Sequence, residues 1–281
     1  MPAPHLAILA ALLLAACQAP QLPAVPEAPT SYAPAVRERM LRITRDELAE
    51  WEAWRATQVT QRPGREAVCE GRAEAPESRV ANFHRVMAYW NAVSMPAGFV
   101  PRNRARFAAR ANGACAATWS DEPWSAAFIS YVMANAGVAP FDFPPSVGHR
   151  MYLDHVIRHG DRFGASAPFI ARDVADYAPR KGDLVCADRT ADVNARLTRI
   201  AGRRAEMGAP RAMHCDIVLA VAPGTVETAG GNIGQAVERA IRETDAVGRL
   251  RVRPPAGTAP EELTWFAVIE NRLGLLPPFA P

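Results

Sequence analysis

The sequence predicts an α+β fold, with N-terminal helices packed on an antiparallel sheet. Helical spacing of apolar residues dominates the first part of the chain, up to about residue 159, whereas short runs rich in Val and Leu dominate from 182 onward. Two of those runs flank Pro223-Gly224, a turn signal that reads as a hairpin. Helices first and strands afterwards is the order of a segregated α+β domain, not of the alternating units that build a parallel doubly wound sheet.

The leader comes first. The apolar run Leu6 to Ala16 is too short to span a bilayer as a mature helix and suits a signal-peptide core. It ends in Leu14-Ala15-Ala16-Cys17, which resembles a bacterial lipobox and makes Cys17 the expected lipidation site. An ordinary cleaved secretory signal beside an unrelated cysteine is the alternative. Gln18 after the cysteine points, by resemblance to bacterial sorting rules, to an outer-membrane lipoprotein facing the periplasm. Residues 18–35 are rich in Pro and Ala and read as a semi-extended tether. A helix and loop over 36–78 and one domain over 79–275 complete the expected layout.

Within that layout, Val36, Met40, Ile43, Leu48, Trp51 and Trp54 recur at helical spacing, giving a charged helix over 36–59 that either packs on the domain or acts as a spacer. Val80, Phe83, Met87 and Trp90 mark a helix over 79–93, and 95–123 reads as irregular. The stretch from Thr118 to Val138 is a polar turn running into a helix. Ser120 or Asp121 can cap it, Pro123 is tolerated in its first turn, and Gly137 closes it. Another helix covers 146–159. Strand candidates follow at 182–189, 214–223, 225–231, in Gly-Arg-Leu-Arg-Val-Arg-Pro from 248, and from Leu263 to Asn271. An Arg-rich insertion, helical in part, fills 188–213.

Composition excludes several classes. The 32 basic and 29 acidic residues leave a net charge of only +3, so there is no basic footprint for nucleic acid. Sequence motifs for dinucleotides, phosphates or calcium are absent, and no CxxC pair suggests a zinc knuckle. With Cys17 lipidated, Cys69, Cys115, Cys186 and Cys215 remain, an even set that suits disulfides in an oxidising compartment.

The chemistry-bearing candidates begin with Ser125. A helix N-terminus offers unpaired N–H groups and partial positive charge, so an anionic nucleophile is favoured there; a capping or surface role is the plainer alternative. Serine needs a general base. His214 opens a strand, and Asn232 follows the next strand, where antiparallel pairing can bring it near His214 to orient the imidazole. Glu227 is the second choice for that task, and Gly230 and Gly231 let the backbone come close. His155 and His159 stand at metal-ligand spacing without a companion glutamate and read as solvated helix residues. Asp183 reads as structural.

Together, "PWSAAFISYVMANAGV", His149 and Tyr152, "YAPRKGDLVCADR" and "HCDIVLAV…VETAGGNIGQAV" resemble the bacterial family called domain of unknown function 2272, over roughly residues 79 to 272. That family is similar to the NlpC-type and CHAP-type papain-like peptidases. The resemblance implies a papain-like domain with Ser125 where those peptidases carry Cys, His214 as base and Asn232 as orienting group. It places His149 beside the site as a groove residue. Trp119 and Trp124 flank the site and either stack on substrate or pack in the core. Because the strands of Cys186 and Cys215 should pair, it also implies a Cys186–Cys215 disulfide, leaving Cys69 with Cys115. The implied activity is amide hydrolysis in peptidoglycan peptides with no metal and no cofactor. A non-catalytic envelope module using the same cleft is the rival.

Overall fold

A computed structural model describes residues 28–60, 80–93, 98–111, 122–252 and 263–275. Cys17, Cys69, Cys115, Trp119 and most of the tether lie outside these residues. The helices are α1 (Pro34–Thr60), α2 (Val80–Asn91), α3 (Phe99–Ala111), α4 (Ser125–Ala136), α5 (His149–Phe163) and the short α6 (Ile200–Ala205). The strands are β1 (Phe169–Asp173), β2 (Leu184–Asp188), β3 (Met213–Ala222), β4 (Thr225–Ile233), β5 (Ala236–Glu243) and β6 (Thr264–Asn271). They form one antiparallel sheet in the order β1-β6-β2-β3-β4-β5. The architecture is the α+β arrangement expected, with β3 and β4 joined as a hairpin at Gly224. None of the described helices is long and apolar enough to cross a membrane.

Strand alternation splits the sheet's side chains between two clusters. Leu184, Cys186, Cys215, Ile217, Leu219 and Ile269 enter the core shared with the helices. Val185, Val218, Val226 and Val268 enter a smaller cluster closed by Val174 and Leu250. Cys186 and Cys215 are register partners on β2 and β3 and are joined by a disulfide. Side chains directly opposite on adjacent strands are close enough to bridge, which is why the implied pairing holds.

Helix α1 packs on the domain and is no spacer. Met40, Leu41, Leu48 and Trp51 are buried in the same core as Phe128 of α4. Its arginines satisfy open backbone carbonyls: Arg37 donates to Lys181, Arg39 to Ala136 at 3.2 Å and Arg45 to Leu219 at 3.2 Å. Full burial of each large apolar side chain contributes roughly 1.5–3 kcal/mol, enough to hold a helix of this length in place.

Several elements differ from the sequence reading. The segment read as irregular contains α3, whose Phe99 meets Trp90 at 4.8 Å and whose Phe107 stacks on Phe83 at 3.9 Å. Its five arginine and asparagine positions dilute the apolar spacing that such aromatic contacts satisfy. Strands β1 and β5 are also additional. Of the strand expected from Gly248, the described residues 248–252 follow a turn and contribute an isolated bridge, Thr244 to Leu250, and the rest lies outside the described residues. Asp245 holds that turn by accepting from the N–H groups of Val247 at 3.0 Å and Arg249 at 2.9 Å. Helix α4 starts at Ser125, so Pro123 precedes the helix and Trp124 takes the N-cap position without a side-chain cap. His155 is half-buried and His159 buried, with His159 Nε2 3.4 Å from Asp142 Oδ1, so neither is a solvated helix residue. Asp183 is structural: it accepts from the backbone of Arg180 and Asn271 at 2.7 and 2.8 Å.

The insertion between β2 and β3 straps onto α5. Buried Arg203 of α6 places Nε and Nη2 on the two carboxylate oxygens of Asp154 at 2.6 and 2.7 Å. The Gly208 N–H donates to the same carboxylate at 2.9 Å. A bidentate pair with an extra donor satisfies both buried charges, which a lone contact would not.

Candidate functional site

The site is assembled where the starts of α4, α5 and β3 meet. Helix α4 is buried on nearly every side, from Ser125 to Ser130 and again at Val132, Met133 and Ala136. Such all-round apolarity marks a central helix, and it fixes Ser125 at a buried N-terminus. The first helical bond runs from Phe128 N–H to Trp124 C=O, at 3.0 Å, so the preceding N–H groups stand outside the helical ladder. Helix α5 is brought alongside by Ser130, whose hydroxyl accepts from Ser146 N–H at 2.9 Å, three residues before His149. The strap holds the same helix from its other side through Asp154.

Ser125 Oγ lies 2.6 Å from His149 Nε2. His149 Nδ1 is hydrogen-bonded in turn to the Tyr152 hydroxyl, one helical turn on. His214 lies beside them, its ring centroid 5.4 Å from that of His149. His214 Nε2 is turned to Asp216 Oδ1 at 2.7 Å. Asp216 Oδ2 accepts from Thr228 Oγ1 at 3.1 Å and from Arg242 Nη2 at 3.2 Å. The three site side chains are almost closed off: Ser125 is 5% exposed, His149 4% and His214 3%.

Electrostatics follow from this enclosure. Burial, reinforced by His214 and least by Arg189, holds the His149 imidazole well below its ordinary 6.5, although Asp216 pulls the other way. His149 is therefore neutral near pH 7. With its hydrogen on Nδ1, the Nε2 lone pair accepts from the Ser125 hydroxyl and Nδ1–H donates to Tyr152. Burial, with Asp216 adding to it, pushes the Tyr152 phenol well up, so it stays neutral. Burial alone would raise the Asp216 carboxyl, but His214, Arg242 and Thr228 outweigh it and hold the group at about 2. Asp216 is thus an ionised carboxylate inside the protein.

The structure redistributes the expected roles. Ser125 and His214 are brought to one place, but the imidazole bonded to Ser125 is that of His149, expected only as a groove residue. The group orienting His214 is Asp216, not Asn232. Asn232 adopts φ 58° where β4 slips register against β5, a left-handed backbone that asparagine tolerates well. Glu227 is paired with Arg239 at 3.2 Å. Trp124 is a core residue and not a substrate contact: it is fully buried, stacked on Trp51 at 5.7 Å and against Tyr89 at 5.5 Å. Sequence reasoning missed Asp216 and Tyr152 as site members. The signals were present, His-x-Asp on one face of a strand and His149 three residues before Tyr152 on one face of a helix.

Gly230 and Gly231 permit the close approach expected of them. A β-carbon on Gly230 would lie 2.0 Å from Asp216 Oδ1 and 2.9 Å from His214 Nε2. One on Gly231 would lie 2.7 Å from the Phe128 β-carbon. Among the described residues, no group of three or more His, Cys, Asp or Glu is placed to hold a metal ion. An open groove of about 510 Å³ between α1, the loop at 179–181 and residues 219–221 of β3 includes none of these site residues.

No curated protein and no solved structure matches the chain. Residues 77–271 match the family described as an uncharacterized protein conserved in bacteria. That span contains Ser125, His149, His214 and Asp216, and with it the chain belongs to the domain of unknown function 2272 family.

Proposed function

We propose that the chain is a cell-envelope lipoprotein whose papain-like, NlpC-type domain hydrolyses amide bonds in peptidoglycan peptides, with Ser125 as nucleophile and His149 as base. The reading rests on one observation, the 2.6 Å contact between Ser125 Oγ and a neutral His149 Nε2 at a helix N-terminus. Ser125 Oγ attacks the amide carbon and its proton passes to His149 Nε2. N–H groups at the start of α4 meet the developing oxyanion. His149 then gives the proton to the departing amine, and water repeats the sequence to free the acyl group. Tyr152 holds the tautomer. The Asp216 carboxylate behind His214 favours positive charge on His149 during transfer. By the Leu14-Ala15-Ala16-Cys17 motif, lipid on Cys17 anchors the domain at the outer membrane, facing the periplasm.

The near-complete burial of Ser125, His149 and His214 favours a second reading, a non-catalytic module that binds envelope peptide with these side chains as a structural network. Incubating the purified chain with muropeptides and following products by mass spectrometry separates the two. Hydrolysis that disappears in both Ser125→Ala and His149→Ala establishes the enzyme. Binding without products, unchanged by Ser125→Ala, establishes the module.

A further inference from the structure

We propose that Arg189 is a specificity residue, selecting amide substrates that carry a carboxylate close to the scissile bond. The inference rests on the reading of Ser125 as nucleophile and adds the substrate's charge to it.

Arg189 is the first residue past β2, and its N–H donates to Ala212 C=O at 2.9 Å. That bond carries the β2–β3 register one step beyond Asp188 and Met213. Ala187 is the partner of His214 in that register. Residues two apart on a strand share a face, so Arg189 lies on the face of Ala187 and His214, as the diagonal neighbour of His214. Diagonal positions are about 7–8 Å apart, within the span of an arginine side chain. Arg189 is exposed, while the side chains of the site are buried. Its charge is also among those that act on His149.

The contrast with its neighbours supports a ligand-facing role. The strap neutralises four of its other arginines within itself or against α5 and the adjoining loop, while Arg196 donates to the Thr190 carbonyl at 2.6 Å. Arg203 is on Asp154, Arg204 on Asp161, Arg211 on Asp188 and Glu206, and Arg199 on Asp176. Arg189, at the root of the strap, makes no ion pair among the described residues. A guanidinium without a carboxylate, beside a site that would develop negative charge on its substrate, is matched by an anionic group on that substrate. Arginine's fork favours a planar carboxylate that it can grip at both oxygens.

The test uses two phosphonofluoridates of equal size that react with activated serines. One carries a free carboxylate on the substituent that mimics the substrate; the other carries its methyl ester. Serine oxygen attacks phosphorus, fluoride leaves, and the serine proton passes to His149. Inactivation rates are followed by intact-mass spectrometry on the full chain. Wild type is expected to react about five- to tenfold faster with the acid than with the ester, as befits one charge-assisted contact near the surface. In Arg189→Met that ratio falls towards one, and Arg189→Lys retains part of it. Raising the salt concentration lowers the wild-type ratio. Equal rates with acid and ester in wild type overturn the proposal while leaving Ser125 as a nucleophile. A preference that survives in Arg189→Met overturns it equally. Failure of both reagents to modify Ser125 removes the nucleophile reading, and the Arg189 proposal with it.

Discussion

Gly230→Ala tests whether the carboxylate under β4 shapes the site. The backbone at Gly230 lies outside the left-handed region, so alanine is not barred by its own conformation. The obstacle is the neighbour. The new β-carbon would fall 2.0 Å from Asp216 Oδ1, and 2.9 Å from both His214 Nε2 and Ile233 Cδ1. Ordinary contact begins near 3.4 Å, so the carboxylate must retreat by more than an ångström. It cannot do so while keeping its 2.7 Å bond to His214. Overpacking costs about 1–3 kcal/mol, and loss of a charge-assisted hydrogen bond about 1.5–3 kcal/mol. The variant should therefore be less stable by about 3–5 kcal/mol, read as a lowered urea midpoint. Asp216→Ala removes the atom that alanine would strike, so the double variant should be clearly less destabilised than the sum of the two singles. Gly230→Ala with a wild-type midpoint, or strict additivity in the cycle, would refute the claim that the glycine exists for the His214–Asp216 pair.

Other outcomes follow from the same geometry. The Cys186–Cys215 bond closes a separation of 29 residues; replacing both cysteines with alanine should cost about 3–4 kcal/mol by loop closure, and an unchanged urea midpoint would contradict it. Arg203→Met leaves buried Asp154 without its cation and should cost about 3–5 kcal/mol, whereas Arg203→Met with Asp154→Leu should recover most of that loss. Acid should destabilise the fold through His149. Its folded value lies well below the ordinary 6.5, so the unfolded chain binds the proton first. The stabilisation is complete above pH 6.5 and is lost as pH falls below it towards the folded value, by up to about 1.4 kcal/mol per pH unit. His155 and His159, also lowered chiefly by burial, act in the same direction. Urea midpoints at pH 7 and pH 5 should differ less in His149→Gln, and an equal difference would remove His149 from the account.

Much of the scaffold was legible because it depends on spacing. Trp51, Phe83, Met87 and Phe128 announce helices by recurrence, and Leu184, Ile217 and Val268 announce strands by density and alternation. The Cys186–Cys215 bridge was implied by the family resemblance, not by spacing, and the register of β2 against β3 bears it out. What escaped was information held between elements. Helix α3 is fixed by Phe107 lying on Phe83, a contact with no trace in the local composition of an Arg-rich segment. Trp124 was ambiguous because an aromatic beside a candidate nucleophile looks the same in sequence whether it faces a ligand or Trp51. The choice between His149 and His214 was the largest loss. His149 meets Ser125 at the start of α4 while His214 lies behind it against Asp216, an arrangement set by the seating of α5 through Ser130 and Arg203.

The depressed proton affinity of His149 bears on what a hydroxyl, rather than a thiol, can do at the start of α4. A hydroxyl yields its proton only to a strong base or late in the reaction, whereas a thiol is appreciably acidic by itself. An imidazole kept neutral by burial is a modest base, so a Ser125–His149 pair should attack slowly. Ser125→Cys keeps the helix N-terminus and the imidazole while lowering the acceptor strength needed. The introduced thiol should ionise below the usual 8.5 of free cysteine. Iodoacetamide alkylation at position 125, measured by peptide mapping across pH, should then proceed several-fold faster at pH 7 than for a free cysteine peptide, and lose that advantage in the His149→Ala background. Alkylation that begins only above pH 8, or that is indifferent to His149, would mean that the 2.6 Å contact fixes a structural hydroxyl and activates nothing.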